Sequence, residues 1–260
     1  FRRVLFRSDI SVGNVIGSNI ANILLVLGAG AAISALPCTG TAIRRDTAMM
    51  AAATLCLSIA CFLGGYTRVS GAIMVTVLTA YIIWTFIEVK RTGVDNSDLD
   101  ELGVLSSGPL WCAVAIGVAG LVALLIGAEM MVNAAVGLAQ GLGVSDRVIA
   151  VSMVALGTSL PELATVIIAA RRGHADMAVG NVLGSCVFNV FGVLGLSALA
   201  APLLFNPTDY MADIAVSTFA GGALLAMILF RGMVNRSTGI LMLGSYLAYI
   251  AWLYIDGVAP

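Results

Sequence analysis

The sequence predicts an all-α, polytopic membrane protein with eight transmembrane helices, set in a ten-helix (5+5) inverted-repeat frame. Three observations carry that class. Hydrophobic residues make up 60% of the chain and charged residues only 10%, whereas a soluble domain carries about a quarter charged residues. Apolar stretches recur at lengths near 20 residues, which suit a hydrocarbon core ~30 Å thick. Two of these stretches repeat one another in register at a fixed offset.

Taken in order, residues 1–8, FRRVLFRS, do not match the apolar sequence C-terminal to them. Three arginines there suit neither a span nor a cleavable signal peptide, so the segment reads as foreign or misassembled sequence. The first span is Val12–Leu36, containing GNVIGSNIANILLVLG, and a basic loop with Arg44 and Arg45 comes next. The second span is Thr47–Gly64 and the third Ser70–Val89. Residues 9–90 thus hold three helices of a first repeat. Residues 91–108 form a hydrophilic linker whose Asp95, Asp98, Asp100 and Glu101 read as a solvated loop. The fourth span is Pro109–Asn133; Glu129 near its end reads as an interfacial acid outside any site. The fifth and sixth lie in Val154–Leu199, as VALGTSLPELATVIIAA, a polar turn RRGHAD, and MAVGNVLGSCVFNVFGVLGLSAL. The seventh is Ala212–Phe230 and the eighth Thr238–Ile255, so residues 109–260 hold a complete five-helix second repeat.

Loop charge orients these spans. Arg44, Arg45, Lys90, Arg91, Arg171, Arg172, Arg231 and Arg236 fall on one side, Arg68, Arg147 and the three arginines of residues 1–8 on the other. Basic loops stay cytoplasmic, which puts the 91–108 linker inside and the C-terminus outside.

Function classes narrow by elimination. A net charge of −1 argues against nucleic acid. The five cysteines, Cys38, Cys56, Cys61, Cys112 and Cys186, form no CxxC pair and read as buried thiols. The lone histidine, His174, sits in a polar turn, and neither HExxH nor GxSxG occurs, so an enzyme reading has no nucleophile–base pair to stand on. No cofactor is expected.

Glu162 is the anomaly. A carboxylate in the hydrocarbon region costs ~2.5 kcal/mol or more unless it faces a cavity, a partner or an ion. Pro161 precedes it, lacks an N–H, and should free the Gly157 carbonyl from the helix ladder. Thr158 and Ser159 add hydroxyls on the same turn. A carboxylate, two hydroxyls and a loosened carbonyl make a cluster of hard oxygen donors, the chemistry that Ca²⁺ and Na⁺ prefer. A proline kink with mutually satisfied polar groups is the plainer reading, but a kink needs no carboxylate.

The repeat supplies the other half of the site. Asp9–Gly28, DISVGNVIGSNIANILLVLG, matches Asp176–Gly195, DMAVGNVLGSCVFNVFGVLG, at an offset of 167. Gly13/Gly180, Asn14/Asn181, Gly17/Gly184, Ser18/Ser185 and Asn22/Asn189 coincide. The first and sixth spans enter the membrane from opposite sides. Inverted repeats with broken helices near the midplane are a secondary-transporter signature, with the substrate site where the broken pairs meet. Gly17 and Gly184 should allow close helix approach. Asn22 and Asn189 lie one turn after Ser18 and Ser185 on the same face. Two spans precede GNxxGSxxxN in the second copy and only residues 1–8 in the first. The expectation is a loss of about sixty residues, holding a second GTSxPE and its glutamate.

GTSLPE followed by GNVLGSCVFN, with a second GNVIGSNIAN, resembles the alpha-repeats of the sodium/calcium exchanger family, within the Ca²⁺/cation antiporter superfamily. The likeness runs from Asp9 to the C-terminus and is closest to prokaryotic calcium/sodium antiporters. It implies a 5+5 fold in a plasma (inner) membrane that exchanges external Na⁺ for internal Ca²⁺ by alternating access. By motif position it implies Glu162, Thr158, Ser159, Ser185, Asn189, Ser18 and Asn22 as ligands, with Glu162 shared between the two ions. Some exchangers carry Asp where this chain has Asn189. With one glutamate, residues 1–260 alone are expected to bind Ca²⁺ poorly and not to transport. The GTSLPE segment favours Na⁺ over H⁺ coupling. A cation/proton antiporter, a passive cation channel and an inactive remnant stay open as alternatives, as do K⁺ dependence and oligomeric state.

Overall fold

The computed structural model describes residues 8–92 and 146–257, together with scattered positions between 115 and 144. Residues 1–7, nearly all of the 91–108 linker and most of Pro109–Asn133 lie outside the described residues. The positions described within Pro109–Asn133 are helical, and Glu129 is exposed there.

Three long helices each contain a wide π-helical stretch. The first runs as α1 (Ser8–Ile20), π1 (Ala21–Leu27) and α2 (Gly28–Ile33). A short strand β1 (Leu36–Pro37), helix α3 (Thr41–Leu63), strand β2 (Gly65–Tyr66) and helix α4 (Arg68–Thr92) come next. The second long helix is α5 (Asp146–Ile149), π2 (Ala150–Val154) and α6 (Ala155–Arg172). The third is α7 (Ala175–Val187), π3 (Phe188–Leu194) and α8 (Gly195–Ala200). Strand β3 (Leu203–Leu204), α9 (Pro207–Arg231), β4 (Met233–Val234) and α10 (Arg236–Gly257) complete the chain.

Local chemistry fixes the ends. Gly173 takes φ 82° after α6, and its N–H reaches the carbonyls of Ala169 and Ala170. This left-handed cap lets the chain turn back within two residues. Asn206 caps α9 by accepting the Thr208 N–H, and Pro207 occupies the first helical position, where a missing N–H costs nothing. α9 therefore starts five residues before the expected Ala212.

Pro161 does not end the helix, though its missing N–H still leaves the Gly157 carbonyl without its usual partner. Pro161 lies inside α6, which stays α-helical from Ala155 to Arg172. The discontinuity takes the form of the π stretches, which widen the turn without ending the helix. The fifth span also starts earlier than Val154, at Arg147, and the first ends at Ile33. Leu36 belongs to β1 instead.

Among the described residues six helices are long and apolar enough to cross a membrane: Ser11–Ile33, Arg68–Arg91, Arg147–Arg172, Ala175–Ala200, Pro207–Arg231 and Arg236–Ile255. α3 has 23 residues, and from Thr47 to Leu63 its sequence carries no charged side chain, as the expected second span requires. Ser11–Ile33 is the most buried of the six and Arg68–Arg91 the least. The outer face of α4 shows Ile82, Ile83, Trp84 and Phe86 to its surroundings. An apolar rim of that extent is the surface a lipid-facing helix presents.

The repeat is present element by element. The bounds of α1, π1, α2 and β1 each differ from those of α7, π3, α8 and β3 by 167. Between β2 and β4 the offset is 168, one residue having been added. β1 pairs with β4, Leu36 opposite Val234, and β2 pairs with β3, Tyr66 opposite Leu203. Exchanging the repeats maps each strand pair onto the other, so the relation is two-fold. These two-residue strands were not legible in the sequence. They clip the helix ends of one repeat to those of the other. Glycine marks the helix crossings: a Cβ on Gly239 would sit 2.7 Å from the Gly28 carbonyl oxygen, and one on Gly71 2.7 Å from that of Gly195.

Candidate cation site

α6 carries Thr158, Ser159 and Glu162, and it touches both repeats. On one side, Ser185 Oγ of α7 donates to Glu162 Oε1 at 3.4 Å. Glu162 Oε2 is buried and has no hydrogen-bond partner among the described residues. A cavity of about 310 Å³ opens beside it, lined by Glu162, Gly180, Asn181, Gly184, Ser185, Phe188 and Asn189. Ser185 and Asn189 are one turn apart, so α7 and π3 offer both to the same cavity.

One turn back along α6, the Thr158 and Ser18 hydroxyl oxygens lie 2.9 Å apart. Thr158 also donates to the Ala155 carbonyl at 2.9 Å. Its single proton is thereby engaged, so Ser18 is the donor toward Thr158. Asn14 Oδ1 lies 3.5 Å from each hydroxyl. α1 comes this close because Gly17 faces π2: a Cβ there would lie 2.1 Å from the Val151 carbonyl oxygen.

The two remaining candidates, Ser159 and Asn22, are fully buried. Ser159 Oγ and Asn22 Oδ1 have no hydrogen-bond partner among the described residues. Buried oxygens without donors are uncommon and costly. Together with Glu162 Oε2 they make three unsatisfied acceptors on α6 and π1, which pack against each other. Among the described residues no three of His, Cys, Asp or Glu cluster together. Among the described residues, an ion held here meets one carboxylate surrounded by neutral oxygens.

The structure thus brings Glu162, Ser185 and Asn189 around one cavity, and brings Thr158, one turn back on α6, into contact with Ser18 of α1. Gly184 departs from expectation. Nothing lies within 4 Å of a Cβ built on it, because it borders the cavity rather than a helix crossing. Asn19 and Asn181 were missed as neighbours of the site. Asn181 was visible in the GNxxGS motif, one turn before Ser185 and lining the same cavity. Asn19 has cysteine, not asparagine, at its repeat position, so the comparison of repeats passed over it.

A second polar cluster, also unforeseen, lies outside the site. Asp213 is completely buried on α9. Arg147 donates to its Oδ2 through Nε at 3.1 Å and Nη2 at 2.8 Å. Tyr249 Oη donates to Oδ1 at 2.8 Å. The other repeat holds the matching pair, Tyr81 Oη donating to Asp46 Oδ1 at 2.7 Å. Cys38 and Cys186 are buried free thiols and Cys56 is half-buried, in line with a structural role. The side chain of Cys61 and all of Cys112 lie outside the described residues.

Paired repeats, lipid-facing helices and an oxygen-lined carboxylate at their junction define a membrane transporter of the antiporter class. The sequence matches the sodium/calcium exchanger protein family over residues 3–87 and 112–255, and the chain belongs to that family. It is 34% identical over 248 residues to the putative antiporter CaxA of Alkalimonas amylolytica, covering 94% of this chain and 78% of that protein. It is 31% identical over 260 residues to inner membrane protein YrbG of Escherichia coli K12, covering 95% and 77%. The fold matches a solved structure of the sodium–calcium exchanger NCX_Mj soaked with Na⁺ and Sr²⁺, with a TM-score of 0.72 and 30% identity over 94% of this chain and 77% of that one. Members of this family are transporters and not enzymes, and the chain is an integral membrane protein of the antiporter class.

Proposed function

We propose that residues 1–260 supply part of the ion site of a Na⁺/Ca²⁺ antiporter, which exports Ca²⁺ as Na⁺ enters down its gradient, by alternating access, from an inner membrane. Glu162, Thr158, Ser159, Ser185, Asn189, Ser18 and Asn22 are the proposed ligands. The observation that carries this reading is Glu162 itself. One of its oxygens is held by Ser185 from the neighbouring helix, and the other is buried and unpartnered among the described residues.

One carboxylate shared by two cations gives a physical basis for exchange. The Glu162 carboxylate attracts either ion but cannot serve both at once, so Na⁺ entry displaces Ca²⁺. An empty site leaves a bare carboxylate inside the membrane, which is costly. The carrier therefore resists changing sides without cargo, and the two fluxes become coupled. Ca²⁺ takes six to eight oxygens, so carbonyls and water must complete its shell. The hydroxyls and amides suit Na⁺. In this reading the 91–108 linker is cytoplasmic and the C-terminus external.

The test is ⁴⁵Ca²⁺ uptake into everted membrane vesicles loaded with Na⁺. Uptake that collapses with the Na⁺ gradient supports the proposal. Uptake that follows a pH gradient and ignores Na⁺ would overturn the coupling, and uptake that needs no counter-ion would overturn exchange altogether.

A further inference from the structure

Asn189 borders the cavity beside Glu162. An amide side chain has one acceptor oxygen and two N–H donors. A cation takes only the oxygen, so an amide free to rotate would present the wrong end half the time. Here the rotation is fixed. Asn189 Nδ2 donates to Asn19 Oδ1 at 3.1 Å, across the two repeats. Asn19 is 2% exposed, so no water competes for that bond. With the nitrogen drawn to Asn19, the Asn189 oxygen is left to the other side.

The repeat supports this reading independently. At an offset of 167, Asn19 corresponds to Cys186 and Asn189 to Asn22. Asn22 Oδ1 has no partner among the described residues. At the equivalent position of the other repeat, Asn22 thus also has an oxygen to offer a cation.

We propose that Asn19 is a positioning residue that turns the Asn189 carbonyl oxygen toward the transported cation. The inference rests on the cation-site reading above. Metal sites depend strongly on such supporting bonds, whose loss costs roughly 10- to 100-fold in affinity.

The test is equilibrium ⁴⁵Ca²⁺ binding to the purified full chain, as Asn19→Leu, Asn189→Asp and the double variant. A carboxylate at position 189 offers oxygen whichever way it turns and needs no steering. Asn19→Leu is expected to weaken Ca²⁺ binding about tenfold in the parent and by less than about twofold when Asn189→Asp is also present. Equal losses in both backgrounds, or no loss in the parent, would overturn the proposal. If Asn19→Leu does not give monodisperse protein, Asn19→Cys, the residue at the matching repeat position, is read by the same comparison. Glu162→Gln serves as the control: undiminished Ca²⁺ binding there would remove the cation site itself, a failure distinct from that of Asn19.

Discussion

Ser18 and Thr158 touch through their hydroxyl oxygens, 2.9 Å apart, although 140 residues separate them in the chain. One comes from the GNxxGSxxxN of the first repeat and the other from GTSLPE. Their contact joins the first repeat to the helix that carries Glu162. A neutral oxygen ligand is worth about 1 kcal/mol, roughly fivefold in affinity. Thr158→Val keeps the shape and removes the oxygen. It should raise the Na⁺ concentration for half-maximal Ca²⁺ displacement by about fivefold, read from competition binding in purified protein. An unchanged Na⁺ curve would exclude Thr158 as a ligand.

Gly17 and Gly184 are equivalent in sequence but not in surroundings. A Cβ at Gly17 would lie 2.1 Å from the Val151 carbonyl oxygen, whereas one at Gly184 meets nothing within 4 Å. Gly17→Ala should lower stability by roughly 1–3 kcal/mol. Gly184→Ala should melt with the parent while narrowing the cavity. Thermal unfolding in detergent separates the two, and equal losses would contradict the assigned packing.

Asp213 is buried at 0% exposure and holds both Arg147 and Tyr249. Asp213→Asn leaves the Arg147 charge half-buried with its partner gone. Breaking such a pair costs about 3 kcal/mol or more. The expected outcome is a clear fall in melting temperature, with Ca²⁺ affinity unchanged in the folded fraction, since this cluster does not line the cavity. Loss of affinity without loss of stability would place Asp213 in the ion path.

Cys38 lies just past β1, fully buried, and burial pushes its thiol up from 9.0 to about 11. The unfolded chain releases this proton first as pH rises. The stability that the protonated thiol allows is thus complete below pH 9.0 and lost progressively toward about 11. Cys38→Ala should flatten that part of an alkaline denaturation profile. An identical profile in the variant would show that other groups control it.

Much of this was legible because membrane spans announce themselves by composition and repeats by register. Glu162, Ser185 and Asn189 were readable as a constellation, since an intramembrane carboxylate and an in-register motif both stand out against apolar sequence. What stayed hidden depended on long-range geometry. Strand pairs of two residues leave no periodicity. The Arg147–Asp213–Tyr249 cluster draws on three separate helices, α5, α9 and α10. Pro161 signalled a break, but the distortion settled into π2, π1 and π3, whose sequences carry no proline. Asn19 shows the limit of comparing repeats: its counterpart at the 167 offset is Cys186, so matching identical residues passes over it.

Glu162 is, in the proposed mechanism, the shared anchor of both ions. The most direct measurement is ⁴⁵Ca²⁺ binding to purified protein under rising Na⁺, for the parent and Glu162→Gln. Ca²⁺ bound by the parent should be displaced by Na⁺, and Glu162→Gln should bind neither ion at concentrations that saturate the parent. Parent-like Ca²⁺ binding by Glu162→Gln, still displaced by Na⁺, would place the ions elsewhere and contradict it.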